Sequence, residues 1–323
     1  MSEIKFIKRF IKSKLKKLFL YFPFIGSRIK HYDLLRQELV SFHSRCGFEP
    51  GHYYSPIPNL QEVENDADRI FQKNKPLDVN LNQEIQFSNL LEIREFYEQY
   101  PYLIGDKFKE LRYSKPNSLY RYSDAVFLYG MLRLIQPAKV IEVGSGHSSA
   151  VMLDTNELFL GNRTHFTFIE PYPDERLRKI LKDKDAEISQ IIPSRVQDID
   201  PALFSELKPN DILFIDSTHV CKTGSDLNYL LFEVIPRLQI GVFIHFHDIF
   251  YPFEMPKEWV LKNHWFWNEN YLLKAFLMNN PCYEIFLFNS FLAYTRREWF
   301  EQEMPECLKG DSGIGSIWLK KRK

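Results

Sequence analysis

The chain has 323 residues, 45% of them hydrophobic and 26% charged, and its formal net charge is zero. That length accommodates one large α/β core and an accessory region of roughly 100 residues. The four cysteines, Cys46, Cys221, Cys282 and Cys307, are scattered without a CxxC pair, which excludes a disulfide framework or a zinc knuckle and fits a reducing cytoplasm. No run reaches the roughly 18 apolar residues that a membrane-spanning helix requires.

The first thirty residues hold nine Lys or Arg against the single acid Glu3, so the remainder is net acidic. From residue 4 to 19, Ile4, Ile7, Ile11, Leu15 and Leu18 recur at intervals of three and four, with Lys5, Lys8, Arg9, Lys12 and Lys16 between them. This spacing predicts a basic amphipathic helix. Two readings of it stand: peripheral attachment to an anionic membrane at the inner face, or docking on the protein's own fold or on a second copy in a homo-oligomer. A secretory signal is not expected, because the lead is long and amphipathic and no small-residue cleavage site follows.

Residues 31–115 read as helical in pieces, interrupted at Gly51-His-Tyr-Tyr-Ser-Pro-Ile-Pro58 and near Lys75-Pro76. They are expected to form a helical cap or lid, with the catalytic domain over 116–323. From about Ser118 the rhythm changes. A helical stretch through Leu134 leads to a strand at 140–143, and further strands are expected at 165–170, 187–192, 211–216, 241–247, 284–288 and 316–319. Most are short apolar runs without strict alternation, as strands covered on both faces should be. Helices are expected over 148–159, 174–182, 223–237 and 268–279. Such alternation predicts a Rossmann-like, doubly wound α/β fold with a mostly parallel seven-stranded sheet and a helical N-terminal cap.

In Glu142-Val-Gly144-Ser-Gly146-His-Ser-Ser149 a strand ends, the chain turns on two glycines and a helix begins. A dinucleotide fold favours a third glycine where Ser149 stands. The acid two positions before Gly144 suits an amino-bearing ligand, such as the methionine portion of S-adenosylmethionine. The next strand ends at Glu170-Pro171, where a carboxylate at the sheet edge can accept both ribose hydroxyls of an adenosine. With Asp198, Asp216 and His247-Asp248 following in that order, the chain resembles the class I S-adenosylmethionine-dependent methyltransferases. Over nearly everything after about residue 45 it resembles a bacterial subgroup acting on small molecules or glycans, through the 51–58 segment, the glycine loop, Ile215-Asp-Ser-Thr-His219, His247-Asp248 and Trp267-Asn-Glu-Asn-Tyr271. The resemblance implies that Glu142, Gly144, Ser145, Gly146 and Ser148 serve the methionine end, Glu170 the ribose, and Gln197-Asp198 the adenine edge.

The fourth and fifth strands end in Asp216-Ser-Thr-His219 and His245-Phe-His247-Asp248, and both ends open onto one crevice. His245 and His247 share one face of a regular strand and Asp248 the other, so the strand end must bend for His247 and Asp248 to act together. Two chemistries stand here. Asp216, His247 and Asp248, with or without His219, bind Mg²⁺ or Mn²⁺ beside the acceptor oxygen; or, without metal, His219 or His247 takes the acceptor proton, beside Asp216. His245 reads as a satisfied core histidine. The aromatic segment 250–269, with Tyr53 and Tyr54, is expected to cover a partly apolar acceptor pocket.

The expected activity is O-methylation of a hydroxyl on a small molecule or glycan. An NAD-dependent oxidoreductase and an inactive binding protein of the same fold are the rivals. Nucleic acid is not an expected partner, because no basic stripe follows residue 30.

Overall fold

The computed structural model describes residues 47–103, 110–114, 117, 119, 120, 122–310 and 315–323, together with 31, 32 and 34. The basic segment 4–19 lies outside the described residues. The chain divides into two compact units between Ile70 and Phe71. In the first unit, Gly51 takes a left-handed conformation and its N–H donates to the Ile57 carbonyl, closing the turn-rich segment. Asn59 then caps the short helix Leu60–Asn65 by accepting from the Gln61 and Glu62 amides. His52, Tyr53 and Tyr54 stack on one another within this unit.

The second unit is built on a seven-stranded sheet: β1 (Lys139–Val143), β2 (His165–Ile169), β3 (Ser189–Ile192), β4 (Ile212–Ile215), β5 (Phe243–His247), β6 (Tyr283–Phe288) and β7 (Ser316–Lys321). Their order is β3-β2-β1-β4-β5-β7-β6. The first five are parallel, and β7 runs antiparallel to both β5 and β6. All seven expected strands form, because each is an apolar run that the sheet buries: Val140, Ile141, Phe168, Leu213, Phe214 and Ile244 are wholly inaccessible. The order reverses between β1 and β4, and ligands of doubly wound sheets bind at such a switch point.

Helices α1 (Gln83–Tyr97), α2 (Ser123–Ile135), α3 (His147–Phe159), α4 (Asp226–Tyr229), α5 (Glu269–Leu277) and α6 (Asn289–Thr295) flank the sheet. The second unit begins at Phe71, well before the expected boundary at 115/116. The reason is α1, whose apolar residues pack on α2 and whose polar residues serve the sheet edge. A Cβ on Gly130 of α2 would lie 2.4 Å from Ile93 of α1, so the glycine permits the close approach. Asn89 donates to the Phe286 carbonyl and Gln86 accepts from the Phe288 amide, satisfying backbone groups of the edge strand β6.

Over 174–182 the expected helix reduces to a single turn, Leu177–Ile180. Leu177 is its one buried residue, so no apolar stripe holds a longer helix against the sheet. The expected helix over 223–237 starts at Asp226, capped by Ser225, and continues through a π turn to Pro236.

Arg112, with a side chain only 2% exposed, pairs with Asp154 and Glu157 of α3 and with Asp185. Replacing it with methionine would leave Asp154 and Asp185 buried without a counter-charge. Arg112→Met is expected to lower the unfolding free energy by about 3–5 kcal/mol, read from the urea midpoint; an unchanged midpoint would show that the pairs contribute nothing net. Among the described residues no helix is long and apolar enough to cross a membrane.

Candidate functional site

A cavity of about 580 Å³ opens at the carboxyl ends of β1, β2, β4 and β5, within the size range of small-molecule sites. The glycine loop forms its floor. Gly144 has φ +82°, and a Cβ there would lie 1.8 Å from the Asp216 carbonyl oxygen, so the turn passes directly against the backbone at the end of β4. The Asp216 amide donates to the Val143 carbonyl at 2.9 Å and holds that approach. The loop then enters α3 at His147, presenting the amides of a helix N-terminus to the cavity.

Glu142 sits beneath this loop, fully buried. Its two oxygens accept the hydroxyls of Ser148 and Ser149, each at 2.5 Å, and the Ser149 hydroxyl oxygen accepts from the Gly146 amide at 2.9 Å. Burial pushes its carboxyl up to about 8, against the pull of the two serine hydroxyls. Both Glu142 oxygens face the serines, and Glu142 is not among the residues lining the cavity. Gly144, Ser145, Gly146 and Ser148 do line it.

Glu170, the first residue after β2, also lines the cavity; it accepts from the Tyr172 amide at 2.9 Å and the Ser145 amide at 3.3 Å. These bonds fix the carboxylate while leaving lone pairs for a ligand. Gln197 lines the far side. Asp198 does not: it forms a bidentate pair with Arg195 at 2.8 Å. The buried Ser217 hydroxyl faces this cavity without a hydrogen-bond partner among the described residues, a group that a polar ligand would satisfy.

The strand-end acids and histidines do converge. His247 ends β5, and Asp248 leaves the strand in the left-handed region, φ +56°, which supplies the bend that regular alternation forbids. Asp248 Oδ2 thereby lies 3.6 Å from His247 Nδ1 and 3.6 Å from His219 Nε2. Asp216 Oδ1 stands 3.3 Å from His247 Nδ1 and 3.5 Å from His219 Nε2. Two further acids, given no role by the sequence, complete the cluster: Asp124 from α2 lies 3.6 Å from His247 Nε2, and Glu269, within the Trp267–Tyr271 motif on α5, accepts from His219 Nδ1 at 2.8 Å. Asp226 takes the amide and hydroxyl of Thr218, which holds the loop after β4.

Four carboxylates around two imidazoles decide the charge states. Burial alone would depress His219, but Asp216, Glu269 and Asp248 outweigh it and push it up to about 10. His247 is likewise held well above the usual histidine range, burial being overcome by Asp248, Asp216 and Asp124. Burial would raise Asp216, yet the two imidazoles keep it well below the usual carboxylate range. Asp248 is raised by burial to about 6, against the pull of His247 and His219. Both histidines are thus drawn toward the charged form, and Asp248, between them, is the carboxylate at the cavity whose proton affinity burial raises.

The same charges bear on metal. A cation bound by Asp216, His247 and Asp248 needs a neutral imidazole and ligand atoms at about 2.0–2.2 Å around one point. Here His247 points at the two carboxylates as their counter-ion. Among the described residues no group of three or more His, Cys, Asp or Glu is arranged to hold a metal ion.

Of the aromatic segment expected over the crevice, Trp267 lines the cavity and lies against His219 with ring centroids 4.5 Å apart, backed by Trp265. His245 is a core residue as expected, stacked on Phe214 at 4.0 Å. Among the described residues, however, neither of its ring nitrogens has a hydrogen-bond partner, and burial holds it well below the usual range.

Residues 141–249 match a family model described as a methyltransferase domain. An uncharacterized protein of Archaeoglobus fulgidus is 35% identical over 191 residues, covering 57% of this chain and 85% of that protein. Among solved structures, the chain is similar to the SAH-bound Podospora anserina methyltransferase PaMTH1 (13% identity, TM-score 0.40, 86% of this chain and 100% of that one). It is also similar to an O-methyltransferase from Bacillus cereus in complex with SAH (11% identity, TM-score 0.38, 81% and 97%).

Proposed function

We propose that this chain, whose residues 141–249 match a methyltransferase domain, is a class I S-adenosylmethionine-dependent methyltransferase and that it methylates a hydroxyl group on a small molecule or glycan. The observation that carries this reading is the convergence of Asp216, His219, His247 and Asp248 on the same cavity that the glycine loop and Glu170 line. The domain match favours it over the dinucleotide reading.

When bound, S-adenosylmethionine supplies a methyl group on a positively charged sulfur, activated for direct displacement. The backbone of Gly144–Gly146 and the first turn of α3 would hold the methionine end, Glu170 the ribose hydroxyls, and Gln197 the adenine edge. Asp248 would take the proton of the acceptor hydroxyl as the methyl group passed to that oxygen, the electron pair of the carbon–sulfur bond remaining on sulfur. His219 and His247 keep Asp216 ionised and orient Asp248, while Glu269 fixes the His219 ring. Asp216 faces the developing positive charge of the acceptor oxygen. Trp267 excludes water, which strengthens each of these interactions.

The test is transfer of label from methyl-tritiated S-adenosylmethionine to a panel of hydroxylated small molecules and oligosaccharides, with S-adenosylhomocysteine measured in parallel. Stoichiometric S-adenosylhomocysteine and label on oxygen support the reading. Label found on nitrogen instead would refute the assignment of the acceptor atom.

A further inference from the structure

The methionine end of the cofactor carries one anionic group, its carboxylate, and none of the loop residues assigned to that end brings a positive charge. Arg176 is placed to do so. It follows β2, just before the turn Leu177–Ile180, and lines the same cavity as Gly144, Ser145, Gly146 and Ser148. A Cβ on Gly146 would stand 2.7 Å from Arg176 Cδ and 3.1 Å from its Nη1. The arginine side chain therefore rests on the glycine loop, in room that the missing side chain leaves.

No carboxylate among the described residues is in an ion pair with this guanidinium. Asp174, two residues earlier, pairs with Arg178 at 3.0 Å, and Glu170, in the same cavity, accepts from the amides of Ser145 and Tyr172. The Arg176 charge is nonetheless felt at the start of α3: burial, and then this charge, hold His147 below the usual histidine range, so His147 offers no competing cation. The first amides of α3 face the same cavity and also favour an anion. Of the other cations lining it, Arg195 is committed to Asp198, and Lys222 belongs to the loop after β4. A guanidinium lying on the loop beside a helix N-terminus fits a carboxylate, whose planar shape it matches.

We propose that Arg176 is a cofactor-binding residue that clasps the carboxylate of S-adenosylmethionine against the glycine loop. The inference rests on the methyltransferase reading above. It assigns the preference for an amino-acid-bearing cofactor to a side chain outside the loop, in the segment after β2, and it gives Gly146 a second task, that of leaving room for the arginine.

The test is calorimetric titration of the full chain with S-adenosylhomocysteine and with S-adenosyl-3-thiopropylamine, which lacks only the carboxylate, on the wild type, Arg176→Met and Lys222→Met. The wild type should bind S-adenosylhomocysteine roughly tenfold more tightly than the amine, as expected for a hydrogen bond between charged groups. Arg176→Met should lose that preference, binding S-adenosylhomocysteine about tenfold more weakly and the amine no more weakly than the wild type does. Lys222→Met removes another cation lining the cavity and should keep the preference. Both side chains are exposed, so neither change threatens the fold. Equal losses of the two ligands in Arg176→Met, unchanged affinity for S-adenosylhomocysteine in that variant, or the same loss in Lys222→Met would overturn the proposal. Failure of both ligands to bind the wild type would instead strike the methyltransferase reading itself, so the two failures are distinguishable.

Discussion

Asp248→Asn should reduce methyl transfer by roughly 10²–10⁴-fold, the usual contribution of a positioned general base, while leaving S-adenosylmethionine affinity within about twofold. Asparagine is nearly isosteric and tolerates the left-handed backbone at φ +56°. What it loses is the ability to take a proton. The pH profile separates this role from a merely structural one. Wild-type turnover should rise as Asp248 loses its proton around a value of about 6, and fall in the alkaline range as His219, held at about 10, loses its own and releases the carboxylates. In Asp248→Asn the acid limb should vanish from the residual rate. An unchanged acid limb would place the base elsewhere, and loss of cofactor affinity with normal turnover would remove Asp248 from the chemistry.

Gly144→Ala is the second large effect. The new Cβ would stand 1.8 Å from the Asp216 carbonyl oxygen, a backbone atom that cannot yield without moving the end of β4 and the acid that follows it. Added to the left-handed penalty of about 1–2 kcal/mol is an overpacking cost of about 1–3 kcal/mol. The variant should melt at markedly lower temperature and bind S-adenosylmethionine more than tenfold more weakly. Gly161→Ala is the matched control, because it shares a positive φ of +61° but meets nothing within 4 Å. It should lose only the conformational part, with cofactor affinity intact. Equal behaviour of the two would mean that the close approach at Gly144 does not shape the site.

Much of this was legible in the residues. The strands could be read because buried parallel strands are continuous apolar runs, and the glycine loop because its geometry demands small residues at fixed places. The convergence of Asp216, His219, His247 and Asp248 followed from topology, since the ends of β4 and β5 are neighbours. The bend that lets His247 and Asp248 cooperate was foreseen as a requirement, and the positive φ at Asp248 meets it.

The partners that set the charge were not legible. Glu269 reaches His219 across fifty residues, and Asp124 reads locally as an acid at a helix N-terminus, a position that needs no other explanation. Without these two acids the histidines read as ordinary imidazoles; with them both are drawn toward the charged form. At Glu142 too the sequence leaves two readings open: a strand-end acid can face a ligand or the serines of the following helix, and in the packed loop it bonds to Ser148 and Ser149. Gln197 and Asp198 are neighbours in one tight turn that points them apart.

The most direct test of the central claim is a calorimetric titration of the protein with S-adenosylmethionine, comparing the wild type with Glu170→Ala. The account predicts saturable one-to-one binding to the wild type and a loss of about 1–3 kcal/mol in the variant, the cost of removing a charged hydrogen-bond partner. No binding to the wild type, or identical affinity in the two proteins, would contradict it.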